Sequence, residues 1–225
     1  YNNQINHMTK KCNYNIEWRF EKNLVKYDEA LEFMEQTAHE IIEQKRNSLI
    51  WVLEHNPVYT AGISAKDEDL LDNKNIQVFK INRGGKYTYH CPGMKIIYVI
   101  LDLKKLFYPA KPDISKFVEF LELWIIAVLK NYKIDAGIRK GRVGLWVETA
   151  SGEKKISAIG IKIKKWVSYH GIALNVNPEL EGFKNIVPCG IKEFGITSFS
   201  ELGIKNFDEK NFNIILKNEK NNTND

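Results

Sequence analysis

The sequence predicts an α+β fold, a mixed β-sheet with packed helices. Two segments of the 225 residues carry apolar side chains at helical spacing, and six β-rich runs are interleaved with them. No Gly/Ser linker or internal repeat divides the chain, so one main domain with a smaller C-terminal portion is expected. Residues 1–15 read as an N-terminal extension, 16–217 as the single domain and 218–225 as a frayed polar tail.

The first helix is expected over residues 28–45, where Leu31, Met34, Ala38, Ile41 and Ile42 form one buried face and Asp28 is the N-cap. Strands follow at 49–54, 76–81 and 96–103. Pro112 and Asp113 open a second helix reaching about Asn131, with Phe117, Leu121, Trp124, Ile125 and Val128 as its stripe. Further strands are expected at 143–148, 156–163 and 166–176, the first two joined by a hairpin at Ser151-Gly152. Ser198 and Glu201 have capping-box spacing for a short helix, and residues 207–217 form another.

Bulk numbers exclude several classes. With 44% apolar and 27% charged residues the composition is that of a soluble globular protein, and the net charge of +5 favours acidic partners without arguing for nucleic acid. Cys12, Cys91 and Cys189 are widely spaced and odd in number, which speaks against a disulfide framework or zinc site and for a reducing interior. The longest apolar runs, near 96–101 and 123–129, are too short to span a bilayer. The stretch from Tyr1 to Lys11 is polar and lacks the apolar core of a signal peptide, and Met8 is a candidate start. A cytoplasmic protein is expected.

Lys155 and Cys189 are the most telling pair. Cys189 lies between Pro188 and Gly190, where the backbone turns sharply. A free thiol, with its pKa near ~8.5, is only a few per cent thiolate at neutral pH, and a nearby ammonium raises that fraction. Taken alone, the pair reads more readily as a packing cysteine and a solvated strand lysine. Arg83-Gly84-Gly85 through Tyr89-His90 is the second unusual stretch. Adjacent glycines let the backbone approach a ligand and aim amides at it, although a plain turn between strands fits equally well. A nucleotide P-loop is excluded, because the position five before Gly85 is Lys80 rather than Gly. His170 and Gly171 enter an apolar strand and could line a pocket, as could His55 at the end of another, yet a hydrogen-bonded structural histidine is the commoner case. His7 and His39 suggest no function. Lys162, Lys164 and Lys165 read as a solvated strand face, at most a docking patch for an acidic carrier.

Together these stretches resemble one family, the lipoyl(octanoyl) transferases. The resemblance runs from about Ile16 to Gly203. It rests on the Arg-Gly-Gly…Thr-Tyr-His segment, Ile100-Leu101-Asp102-Leu103, Lys155-Ile156 with Ala158-Ile159-Gly160, Tyr169-His170-Gly171 through Asn177-Pro178, and Pro188-Cys189-Gly190. It implies a biotin/lipoate protein ligase-like fold and transfer of octanoyl from octanoyl-acyl carrier protein to a lysine of lipoyl domains. The acceptors would be the lipoyl domains of 2-oxoacid dehydrogenases and the glycine cleavage H protein. It further implies that Cys189 is the thioester nucleophile and that Lys155 lowers its pKa and acts as acid/base. Arg83, Gly84, Gly85, Lys86, Tyr87, Thr88, Tyr89 and His90 would line the acyl pocket with Ala158, Ile159, Gly160, Gly171, Ile172 and Ala173. His55 joins the substrate-binding set. No metal, nucleotide or redox cofactor is implied, and neither nucleic acid nor membrane is a partner.

The acceptor lysine must lose a proton before it attacks, with Lys155 the first candidate to take it and His90 the second. Oxyanion donors are expected near Cys189-Gly190 or the Gly84-Gly85 turn. The sequence departs from the family at Cys91, in place of glycine, at Met94-Lys95, in place of Gln-Leu, and at Val99, in place of proline. Cys91 thereby adds a second thiol beside the expected pocket. The rival readings are an ATP-dependent lipoate or biotin ligase and a non-catalytic module that binds acyl carrier protein.

Overall fold

A computed structural model describes residues 14–73, 75–187 and 194–223. The strands are β1 (Ile16–Phe20), β2 (Ser48–Leu53), β3 (Val58–Ala61), β4 (Val78–Lys80), β5 (Tyr87–His90), β6 (Met94–Ile100), β7 (Ala136–Arg139), β8 (Arg142–Thr149), β9 (Gly152–Lys164), β10 (Val167–Asn175) and β11 (Gly195–Ile196). The helices are α1 (Tyr27–Ile42), α2 (Leu103–Phe107), α3 (Ile114–Asn131) and α4 (Glu209–Asn222). The principal sheet runs β1-β2-β6-β10-β9-β8-β7, with β11 alongside β9. The β1–β2 and β9–β11 pairs are parallel and the others antiparallel. A small sheet, β4-β3-β5, packs against one face.

β2 and β6 read as unbroken apolar runs because helices or strands cover both of their faces. Ile50, Val52, Ile97 and Val99 face one way, into a core with Leu121, Trp124 and Val128 of α3 and Phe212 and Leu216 of α4. Their neighbours Leu49, Trp51, Leu53, Ile96 and Tyr98 face a second core with Met34, Ala38 and Ile41 of α1 and the tyrosines of the small sheet. The period of two along each strand thus builds two cores from one sheet. Trp124, fully buried, ties α3 to α4 by donating from Nε1 to the Leu216 carbonyl at 2.9 Å.

Several boundaries differ from expectation. Asp28 is not the N-cap of α1; the helix begins at Tyr27, and the capping position, Lys26, makes no side-chain cap. Asp28 and Glu29 instead place negative charge in the first turn, where it interacts favourably with the positive end of the helix dipole. The strand expected to reach Leu103 ends at Ile100, because Asp102 caps α2 by accepting from the amides of Lys104 and Lys105 at 3.0 and 3.3 Å. Ser198 Oγ does accept from the Glu201 amide at 3.2 Å, but no helix follows. Gly203, at φ +87°, turns the chain away before a helix can propagate. The last helix is capped by Asp208 and continues to Asn222, burying Phe212, Leu216 and Lys220. Residues 218–222 are therefore helix rather than tail. Tyr14, assigned to the extension, already packs on the core, with its hydroxyl 2.6 Å from Ser48 Oγ. The hairpin joining β8 to β9 closes where it was expected, with Thr149 paired to Gly152.

Candidate active site

The groove is built where β9 and β10 carry their smallest residues. Gly160 pairs with Gly171, Ile159 with Ile172 and Ala158 with Ala173. A Cβ on Gly171 would lie 2.1 Å from the Ile97 carbonyl oxygen, so glycine lets β6 and β10 close up. A Cβ on Gly160 would lie 3.2 Å from Arg83 Cδ and from the Gly84 oxygen. That opening admits the Arg83-Gly84-Gly85 turn, whose Gly84 amide donates to Ile161 O at 3.0 Å. The Gly84 amide is thereby committed and is not an oxyanion donor. Arg83 is buried and braces its own loop, donating to Gly84 O, Thr60 O, Thr60 Oγ1 and Lys86 O at 2.7–3.0 Å.

Under that turn lies a cavity of about 520 Å³, including its open mouth. Arg83, Gly85, Lys86, Tyr87, Thr88 and His90 line one side, and Ala158, Ile159, Gly160, Gly171, Ile172 and Ala173 the other. Tyr27, Ile96, Tyr98 and His170 complete the wall. Three expected residues do not line it. Gly84 contributes backbone to the turn. Tyr89, on the opposite face of β5 from His90, stacks into the core with Tyr59 and Phe183 at 5.1 and 5.5 Å between ring centroids. His55 stands behind the wall, its Nδ1 2.7 Å from Val25 O and its Nε2 2.6 Å from the Tyr98 hydroxyl.

Burial keeps the histidines neutral. It pushes His55 down to about 4 and, helped by Arg83 and Lys162, His170 to about 3. His90 is also held well below the ordinary histidine value, by burial first and then by His55, Arg83 and His170. So weak a base is poorly suited to take a proton from a lysine, which removes the second candidate for that task.

Lys155 occupies a smaller neighbouring cavity that shares Thr88 and Ala158 with the groove and adds Met94, Asn175, Phe183 and Ile196. Its side chain is buried, its Nζ donates to Val143 O at 3.1 Å, and the ammonium sits 4.7 Å from the Trp146 ring centroid. The "solvated strand lysine" reading is therefore excluded. Cys189 lies outside the described residues, as do Pro188 and Gly190. The chain is described again from Phe194, whose ring packs on Trp146 at 5.4 Å, and β11 then pairs Ile196 with Lys155.

The departures at Cys91 and Lys95 have structural explanations. Cys91 is in the core and does not border the groove. Burial pushes its thiol up to about 11, so it is a poor second nucleophile. Lys95 is buried and pairs with Glu54 at 2.8 Å and with Glu209 of α4, while Glu54 also accepts from the Gly93 amide at 2.7 Å. Lys164, part of the expected basic patch, shares a surface depression with Glu29, Glu32 and Glu35 of α1, so that face is of mixed charge.

Sequence reasoning missed Tyr27 and Tyr98, which reach the groove from elements read only as core. It also missed Glu122, a lone carboxylate inside the apolar stripe of α3, and that break in the stripe was the available signal. Among the described residues, no group of three or more His, Cys, Asp or Glu is arranged to hold a metal ion, and no helix is long and apolar enough to cross a membrane.

A family model described as the lipoyl protein ligase A/B catalytic domain matches residues 26–219. An octanoyltransferase of Wolbachia sp. subsp. Brugia malayi is 46% identical over 190 residues, covering 84% of this chain and 91% of that protein. One from Parvibaculum lavamentivorans is 48% identical over 191 residues, 83% of each chain. One from Ehrlichia ruminantium is 44% identical over 204 residues, 91% of this chain and 96% of the other. Among solved structures, a bipartite lipoate protein ligase from Thermoplasma acidophilum superposes with a TM-score of 0.64 at 16% identity, covering 93% of this chain and 84% of that one. Biotin protein ligase from Aquifex aeolicus superposes with a TM-score of 0.51 at 14% identity, covering 94% and 69%. At these identities the structural likeness is one of fold.

Proposed function

The chain belongs to the lipoyl protein ligase A/B catalytic-domain family, and from that premise we propose that it is an octanoyltransferase working through a Cys189 thioester. It transfers an octanoyl group in protein lipoylation, between an acyl donor and a lipoyl-domain acceptor. The donor in this reading is octanoyl-acyl carrier protein. The acceptors are the lipoyl domains of 2-oxoacid dehydrogenases and the glycine cleavage H protein.

The single observation that supports the mechanism is Lys155, an ammonium held dry at the end of an apolar groove. A cation there favours a neighbouring thiolate, because low dielectric strengthens the attraction. Cys189 stands five positions before Phe194, whose ring packs on the same indole that carries the Lys155 ammonium. The thiolate attacks the octanoyl carbonyl, the Lys155 ammonium gives its proton to the departing carrier sulfur, and the acyl group stays on Cys189. The Lys155 amine left by that step takes a proton from the acceptor lysine, which attacks the thioester and loses its second proton to solvent, and the thiolate is the leaving group. The alkyl chain lies along Ile96, Ala158, Ile159, Ile172 and Ala173, beside neutral histidines.

The test is transfer from octanoyl-acyl carrier protein to a purified lipoyl domain, read as a mass shift on the acceptor, with and without ATP and magnesium. Transfer that is complete without nucleotide is expected. Transfer only from free octanoate with ATP would replace this reading with that of a ligase.

A further inference from the structure

Glu122 is a carboxylate on the buried face of α3 whose hydrogen bond is to the main chain beside Lys155. It is 5% exposed and sits one position after Leu121 and two before Trp124, in a stripe otherwise apolar. Oε1 accepts from the Gly144 amide at 3.1 Å. Gly144 and Val143 stand outside the register of β8 with both of its neighbours. β7 pairs Ile138 with Leu145 and then Arg139 with Arg142, and β9 pairs no residue with either of them. A bulge of this kind leaves main-chain groups off the ladder, and each must find another partner. Glu122 takes the Gly144 amide, and the next carbonyl back, Val143 O, takes the Lys155 ammonium. The bulge cannot relax by a side-chain substitution at Gly144. Its φ is +108°, and a Cβ would lie 2.5 Å from Ser157 O and 3.5 Å from Lys155 Cε.

A carboxylate in an apolar interface is costly unless something requires it. Burial holds the Glu122 carboxyl above the usual carboxylate range. The Gly144 amide opposes that, Glu119 adds to it, and Lys155 opposes it again. Its presence there is explained if the reaction needs the bulge held in one place.

We propose that Glu122 is the positioning residue for Lys155, fixing the Gly144 amide so that the Val143 carbonyl holds the ammonium at one point above the Trp146 ring. This rests on the reading of Lys155 as the group that sets the thiolate and moves the acceptor's proton. Among the described residues that line the groove and the Lys155 cavity, Glu122 is absent, so its effect passes through Lys155. A lysine displaced by an ångström loses on the order of 10²-fold in rate, so the cost appears in kcat and not in KM for the donor.

The experiment compares Glu122→Gln with Glu122→Met, and with Glu122→Ala should the Met variant unfold. Gln keeps an acceptor oxygen for Gly144; Met and Ala do not. The first readout is the ¹³Cε–¹Hε resonance of Lys155, assigned by its loss in Lys155→Arg and displaced by the ring current of Trp146. The second is kcat for octanoyl transfer. Expected are a wild-type resonance and most of the rate in the Gln variant. In the Met or Ala variant the resonance moves toward that of an exposed lysine and kcat falls by about 10²-fold. A Lys155 resonance unchanged in the Met or Ala variant, or one displaced equally in the Gln variant, overturns the positioning role. A displaced resonance with unchanged kcat overturns instead the catalytic reading of Lys155 on which the proposal rests.

Discussion

Gly171, in the groove wall, and Gly84, in the turn above it, should respond differently to the same added methyl group. In Gly171→Ala the new Cβ would sit 2.1 Å from the Ile97 carbonyl oxygen and 3.2 Å from the carbonyl carbon and the Val99 nitrogen, all backbone of β6. Ordinary contact begins at 3.4 Å, so the strands must separate by about 1.3 Å at the centre of the sheet, where overpacking costs roughly 1–3 kcal/mol. For a chain of this size each kcal/mol lowers Tm by about 2–4 °C, giving a drop of about 2–12 °C. The shift also moves Ile172 and Ala173, which line the groove, so KM for octanoyl-acyl carrier protein should rise. In Gly84→Ala the nearest atom is Ile161 O at 3.6 Å, which is ordinary contact, and Tm should stay within about 1–2 °C. Differential scanning calorimetry of both variants decides the matter. Equal loss of stability, or a stable Gly171→Ala variant with wild-type KM, would refute the argument that close backbone approach is what Gly171 provides.

Other outcomes follow from single contacts. Replacing Lys155 by Met should raise the alkylation midpoint of Cys189 toward ~8.5, read with iodoacetamide in a Cys12→Ser/Cys91→Ser background; an unchanged midpoint would separate the lysine from the thiol. Trp124→Phe removes the hydrogen bond that links α3 to the Leu216 carbonyl of α4, which keeps its partner within the helix, and should cost about 0.5–1.5 kcal/mol in urea unfolding, whereas an unaltered midpoint would mean the indole contributes only bulk. His55 and His170 are neutral in the fold, at about 4 and about 3, but titrate near ~6.5 when unfolded, so the unfolded chain binds more protons between those values. Stability is full above pH ~6.5 and declines as pH falls, by about 2 kcal/mol per histidine at pH 5. Tm should therefore drop by several degrees from pH 7 to pH 5, and a flat profile would show that these rings are hydrated.

The parts of the fold legible in the sequence were those with long, regular patterns. α1 and α3 showed as stripes because each packs one face on the sheet, and β2 and β6 showed as apolar runs because both their faces are covered. β3, β7 and β11, of two to four residues, are too short for any period to register, and they form because neighbours offer a free edge. Ser198 and Glu201 carried a genuine capping signal that Gly203 cut short, so the local hydrogen bond formed without its helix. The groove was legible where its chemistry sits in consecutive residues, as at Arg83 to His90 and at Gly160 and Gly171. It was illegible where it depends on tertiary packing. Tyr27 and Tyr98 reach the wall only once α1 and β6 are stacked, and on β5 Tyr87, Thr88 and His90 border the groove while Tyr89 packs in the core. Likewise, nothing local indicates that Glu54 and Glu209, remote in sequence, bury the charge of Lys95.

An octanoyl group carried on Cys189 would change the intact mass of the protein after mixing with octanoyl-acyl carrier protein, and the Cys189→Ser variant is the control. One hydroxylamine-labile octanoyl adduct is expected on the wild type, none on the variant, and discharge of the adduct when a lipoyl domain is added. No adduct on the wild type, or an adduct that persists in Cys189→Ser, would contradict a Cys189 thioester.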